Sequence, residues 1–148
     1  MYEFGHDRAH RLTSKEDRRA VGSQFLAWSY DPVGNVKTKT NYGGDVTEFQ
    51  YDDASRLVGM RNQNYLAVSY QYDPAGRLLN RVLSNGDRTD YTYDAGNRLA
   101  TMTNRSVSGG VESWSYTRDP VGNITNETDS LLGAIAFKYD KRPRHRAI

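Results

Sequence analysis

Six aspartates hold equivalent positions along this 148-residue chain: Asp31, Asp52, Asp73, Asp94, Asp119 and Asp140. Two facing carboxylates could hydrolyse a glycosidic bond, one as acid and the other as base or nucleophile. That chemistry needs one pair whose surroundings differ from the rest. Here every copy sits in the same local sequence, so one role must serve all of them. Turn capping does so, because an aspartate carboxylate accepts hydrogen bonds from the backbone N–H groups that follow it. His6 and His10 are four residues apart, a spacing that suits a metal on a helix. No helix is predicted there and no third ligand is near, so neither a metal site nor a catalytic residue is expected. Cysteine is absent, which removes thiolate sites and disulfides. No phosphate-binding loop, dinucleotide fingerprint or nucleophile elbow occurs, and no cofactor is expected.

What positions these aspartates is a repeat. Tyr-Asp dipeptides fall at Tyr30-Asp31, Tyr51-Asp52, Tyr72-Asp73 and Tyr93-Asp94, each 21 residues after the last, and again at Tyr139-Asp140. Arg118-Asp119 fills the remaining slot, and His6-Asp7-Arg8-Ala9-His10-Arg11-Leu12 is a weaker first copy. Asp-Pro-x-Gly, as in Asp31-Pro32-Val33-Gly34, Asp73-Pro74-Ala75-Gly76 and Asp119-Pro120-Val121-Gly122, is the signature of a type I β-turn. Proline presets φ where its missing N–H does no harm, and glycine closes the turn.

The approach to each turn alternates with period two. Trp28, Phe49, Tyr70, Tyr91, Tyr116 and Phe137 stand two residues before the motif Tyr or Arg118. A polar residue always lies between: Ser29, Gln50, Gln71, Thr92, Thr117 and Lys138. This is the pattern of a half-buried strand with its aromatics on one face. An apolar residue then opens the return strand: Val36, Leu57, Leu78, Leu99 and Ile124. A second turn falls midway through each unit, at Asn41-Tyr42-Gly43-Gly44-Asp45, Asn62-Gln63-Asn64, Ser84-Asn85-Gly86-Asp87 and Ser108-Gly109-Gly110. Asn-Gly there predicts a hairpin turn with positive φ at both central residues. The fold class is all-β, an antiparallel meander of tandem hairpins. The array spans residues 1–140, with an irregular insertion near 13–23, and a basic non-repeat tail covers 141–148. Ser14-Lys15-Glu16-Asp17 has the spacing of a helix N-cap box, which leaves a helical turn over 14–21 or an irregular loop.

The Tyr-Asp-x-x-Gly-Arg/Asn-Leu pattern at this period resembles the YD repeats of the Rhs family: Rhs polymorphic toxins, the cocoon-forming subunits of insecticidal toxin complexes, and teneurin shells. The resemblance covers about His6 to Asp140. It implies that the hairpins join into one curved, spiralling sheet, part of a hollow shell that in bacterial members encloses a toxic domain. The implied partners are the rest of the shell or an enclosed toxin polypeptide. The implied setting is secretion or display at the cell surface as part of a larger bacterial protein. The chain departs from the family at its end. The Asp-Pro-x-Gly-Leu motif of aspartyl self-cleavage is unmatched, since Asp119-Pro120-Val121-Gly122 is followed by Asn123.

Composition agrees with a thin sheet. Only 36% of residues are apolar, while 11 Tyr, 4 Phe and 2 Trp are present. Ordinary domains hold about 45–50% on a count that includes Gly. The net charge of +2 is misleading. Lys141, Arg142, Arg144 and Arg146 crowd the tail, residues 23–140 carry an excess of acid, and nucleic acid is not an expected partner. No apolar run reaches membrane-spanning length, and Met1-Tyr2-Glu3-Phe4-Gly5-His6 does not read as a signal peptide. The chain thus reads as a structural module, not an enzyme. The other reading is a carbohydrate-binding cell-surface module that uses the aromatic face. Unpaired strand edges at the ends predict self-association.

Overall fold

The computed structural model describes residues 1–18, 24–62 and 65–139. The expected turn at Gln63-Asn64, Asp140 and the basic tail lie outside the described residues. Thirteen strands and no helix form among the described residues. They fall into two compact units, Met1–Gly86 and Asp87–Ile148. The first holds β1 (Tyr2–His6), β2 (Leu12–Asp17), β3 (Gln24–Tyr30), β4 (Val36–Thr40), β5 (Val46–Tyr51), β6 (Leu57–Asn62), β7 (Tyr65–Tyr72) and β8 (Leu78–Leu83). The second holds β9 (Arg88–Tyr93), β10 (Leu99–Arg105), β11 (Val111–Arg118), β12 (Ile124–Asp129) and β13 (Gly133–Ala136). Within each unit every strand pairs antiparallel with its sequence neighbours, which is the expected meander.

Each Tyr-Asp turn is one three-residue loop built the same way. The Asp31 N–H donates to the Asn35 carbonyl at 2.9 Å, and the Gly34 N–H donates to the Asp31 carbonyl at 3.1 Å. Asp7, Asp52, Asp73, Asp94 and Asp119 make the same two bonds with the residues four and three ahead. The residue three after the aspartate is left-handed in every described copy: His10 at φ 60°, Gly34 at 102°, Ser55 at 58°, Gly76 at 81°, Asn97 at 60° and Gly122 at 99°. In the Asp94 copy Asn97 takes this place, because Gly96 comes one residue too early. A serine in that conformation costs about 1–2 kcal/mol, and a glycine there costs about 0.5–1 kcal/mol in the unfolded chain. Ser55→Gly is therefore expected to stabilise unit 1 by about 0.5 kcal/mol, and Gly76→Ser to destabilise it by at least as much. Urea unfolding of the two variants checks the opposite signs.

Every such hairpin also carries a β-bulge at the motif position. Ser29 pairs with Thr38 but Tyr30 pairs with Val36, so Lys37 is the extra residue. Val58, Leu79, Ala100, Thr125 and Thr13 are the equivalents. A bulge bends the strand and increases its local twist. It also sets the apolar residue that opens each return strand directly opposite the motif Tyr.

Three expectations need correction. Ser14-Lys15-Glu16-Asp17 is neither helix nor loop, because it lies in β2 and pairs with both β1 and β3. The Asn85-Gly86 turn has positive φ only at Gly86. The Gly86 N–H bonds the Leu83 carbonyl at 2.8 Å, so this turn follows the scheme of the Tyr-Asp turns. The last strand stops at Ala136, so Phe137 and Tyr139 stand beyond it. Only the Phe137 N–H extends the ladder, to the Thr125 carbonyl at 2.9 Å.

Neither unit has an apolar core among its described residues. Among the described residues no apolar side chain is buried, and the buried polar ones are Asp73, Asn80 and Thr89. Each unit is a single layer. Its half-buried face holds Tyr30, Tyr51 and Tyr72 in the first unit and Tyr93 in the second, while Ser29, Gln50, Gln71, Thr92 and Thr117 on the other face are exposed.

Candidate functional site

Polar side chains concentrate at the turn end of the sheet. Asp31 Oδ1 accepts the N–H groups of Val33 and Asn35 at 3.0 and 2.8 Å, and its Oδ2 accepts the Asn35 amide at 3.0 Å. In the Asp52 copy Oδ1 takes the N–H groups of Ala54 and Arg56, and Oδ2 takes Arg56 Nε at 2.7 Å. Asp7–Arg11, Asp73–Arg77 and Asp94–Arg98 repeat the ion pair, and Asp119–Asn123 repeats the amide version. The aspartates are therefore turn caps, as the sequence suggested.

These bonds hold the carboxyls below the ordinary 3.8. For Asp7, Asp52, Asp73 and Asp94 the leading cause is the backbone N–H of the arginine four residues on; partial burial opposes it and the guanidinium assists. For Asp119 the Asn123 amide leads. For Asp31 partial burial is the largest single influence and pushes upward, but the bonds from Asn35, Gly34 and Val33 together outweigh it. A carboxylate kept ionised and fully engaged by its own turn is poorly placed to deliver or take a substrate proton.

The turn arginine has a second function that the sequence did not suggest. Arg11 reaches from its own hairpin to the next. Its guanidinium lies 4.5 Å from the Tyr30 ring centre, and Nη1 comes within 3.5 Å of the Asp31 carbonyl. The Tyr30 hydroxyl returns the contact by donating to the Leu12 carbonyl at 2.7 Å. Arg56, Tyr72, Asp73 and Leu57 repeat this stitch, with Arg56 5.0 Å from the Tyr72 ring and the hydroxyl bond at 2.8 Å. Where Arg118 replaces the tyrosine, its Nη1 takes over the hydroxyl's bond and donates to the Leu99 carbonyl at 2.6 Å. Cation–π contact and one neutral hydrogen bond contribute on the order of 1–2 kcal/mol per stitch. The motif residues thus join hairpin to hairpin. A residue type kept at Tyr and Arg for reach and planarity is the signal that could have revealed this.

The expected aromatic face is present but discontinuous. Trp28 stands opposite Lys39, Phe49 opposite Met60, Tyr70 opposite Arg81, Tyr91 opposite Met102 and Tyr116 opposite Glu127. Tyr2 and Phe4, whose ring centres are 6.4 Å apart, lie outside this row. No group of three or more possible metal ligands occurs among the described residues, and His6 and His10 sit at the first turn.

Residues 30–63 and 72–106 match the RHS repeat model. No curated protein matches the sequence. The fold matches solved structures. The crystal structure of TcdB2-TccC3-Cdc42 aligns with a TM-score of 0.74 over 84% of this chain at 21% identity. TcdB2-TccC3-TEV gives 0.73 over 85% at 21% identity. The Photorhabdus luminescens Tc holotoxin pore gives 0.70 over 82% at 22% identity. The present chain spans 7% of the length of each. Residues 30–63 and 72–106 thus match the RHS repeat, and the fold is that of parts of these toxin-complex chains.

Proposed function

We propose that the chain is a piece of an Rhs/YD-type β-shell that encloses or displays a toxin or other polypeptide, and that it acts structurally. The observation that carries this reading is the coreless sheet. A hydrophobic face normally stabilises a domain by packing on a second layer. Here the half-buried face has no second layer among the described residues, and Arg11–Tyr30 and Arg56–Tyr72 stitch neighbouring hairpins at their turns. That construction suits a wall. The RHS matches and the likeness to parts of toxin-complex chains support it, and the half-covered tyrosine face would look onto the lumen or its contents. Export as part of a larger bacterial protein follows from the same reading.

The test is to express the parent reading frame and probe it by limited proteolysis. A polypeptide that resists protease until the sheet is unfolded is the expected result. If every segment is cut at the rate of an unfolded control, nothing is enclosed. The 148-residue chain alone is expected to self-associate through its strand edges. A monodisperse monomer with a high, cooperative melting temperature would count against the need for neighbouring shell.

A further inference from the structure

We propose that the cleft between the β3–β4 turn and the β5–β6 turn binds an arginine side chain presented by a partner polypeptide. Within unit 1 the stitch is made from the first hairpin by Arg11 and from the third by Arg56. The hairpin between them has Asn35 at the equivalent position. The Asn35 amide reaches its own Asp31 and Ser55 Oγ, at 3.0 and 3.2 Å, and extends no further. The space a guanidinium would fill is left as a cleft of about 480 Å³. Tyr30, Asp31, Phe49, Tyr51, Asp52 and Asp53 line it.

The cleft keeps the partners that the other two sites use. The Tyr51 ring stands where Tyr30 and Tyr72 receive a guanidinium. The Asp52 carbonyl accepts the Ser55 N–H at 2.9 Å. Its counterpart, the Asp73 carbonyl, accepts the Gly76 N–H and also Arg56 Nη1. Among the described residues the Tyr51 hydroxyl has no hydrogen bond, whereas those of Tyr30 and Tyr72 do. Charge favours a cation. Asp31 is paired with a neutral amide instead of an arginine, and Asp53 adds a second carboxylate. Lys37 also lines the cleft but forms no ion pair there. The geometry selects guanidinium over ammonium, because a planar group can stack on a ring while its edge donates to a carbonyl. At the two equivalent stitched sites Arg11 and Arg56 sit 3.7 and 3.6 Å from where a Cβ would stand on Gly34 and Gly76, an ordinary contact distance, so the Ser55 Cβ is compatible with a guanidinium there. The inference does not depend on the shell reading, since any polypeptide could present the arginine.

The test is an aromatic NMR titration of the full chain with acetyl-Gly-Arg-Gly-amide, with citrulline and lysine peptides as comparisons. Shifts centred on Tyr51, Asn35 and Ser55 are expected, with affinity at least about fivefold weaker for citrulline and for lysine. Tyr72, whose ring face is occupied by Arg56 and which lies outside the cleft, should stay still. Asn35→Arg should move the Tyr51 signal toward its bound position without peptide and remove binding. If that variant does not fold, Tyr51→Leu must remove binding instead. Shifts spread alike over all tyrosines, equal affinity for citrulline or lysine, or binding that survives in the folded variant would overturn the site while leaving the shell reading intact.

Discussion

Acidification is expected to unfold the array in a steep step that begins as the pH falls through about 3.8. Seven aspartates, Asp7, Asp31, Asp52, Asp73, Asp94, Asp119 and Asp129, are held below that value in the folded chain. Above 3.8 both the folded and the unfolded chain carry these groups ionised, and their contribution to stability is fully present. Below 3.8 the unfolded chain takes up protons first, so stability falls with pH and is lost as the folded values are passed. Because all seven shift the same way, their slopes add. The urea midpoint should be level between pH 5 and 7 and drop sharply below about 4. Most of the responsible bonds are short contacts to backbone N–H groups, so about 0.5 M sodium chloride should leave the drop in place. A midpoint that stays level down to about pH 2.5 would show that the caps do not hold the fold.

The acid step also explains why so much was legible in the sequence. A turn that needs an anion at one place and a left-handed residue three places on leaves a fixed mark, and Asp31…Gly34 can be counted from repeat to repeat. Strand alternation is equally local, so Trp28-Ser29-Tyr30 announces its faces. The bulge left no mark. Lys37, Val58, Leu79, Ala100 and Thr125 share no property, because an extra residue in a ladder is defined by its partner strand. The stitch was hidden for a related reason. Arg11 and Tyr30 belong to different repeats, and nothing in a single repeat says that one spans to the other. Ser14–Asp17 misled because a capping box and a polar strand have the same composition. Only pairing with Phe4 and Leu26 on either side decides between them.

The largest single substitution effect is expected at Asp73. It is the most enclosed of the caps, at 8% exposure. Its Oδ1 accepts the Arg77 N–H at 2.9 Å, and its Oδ2 accepts Arg77 Nε at 2.6 Å. Its carbonyl holds Arg56 from the neighbouring hairpin at 3.3 Å, so the turn must stay in shape for the stitch to form. Asp73→Ala removes the side-chain acceptor of the Arg77 N–H and the carboxylate that pairs with its guanidinium, two charge-assisted bonds of an enclosed turn. The urea midpoint should fall by about 1 M, and hydrogen exchange should quicken at Arg77 and at the Arg56 stitch together. Asp73→Asn separates geometry from charge. Asn41 already caps the β4–β5 turn, accepting the N–H groups of Gly43 and Asp45 at 2.9 and 3.0 Å. An amide can therefore keep the turn, and this variant should lose less than half as much and become insensitive to acid at this site. Equal losses in the two variants would mean that the ion pair, and not the cap, holds the turn. No loss in either would mean that the hairpins are held by their strands alone.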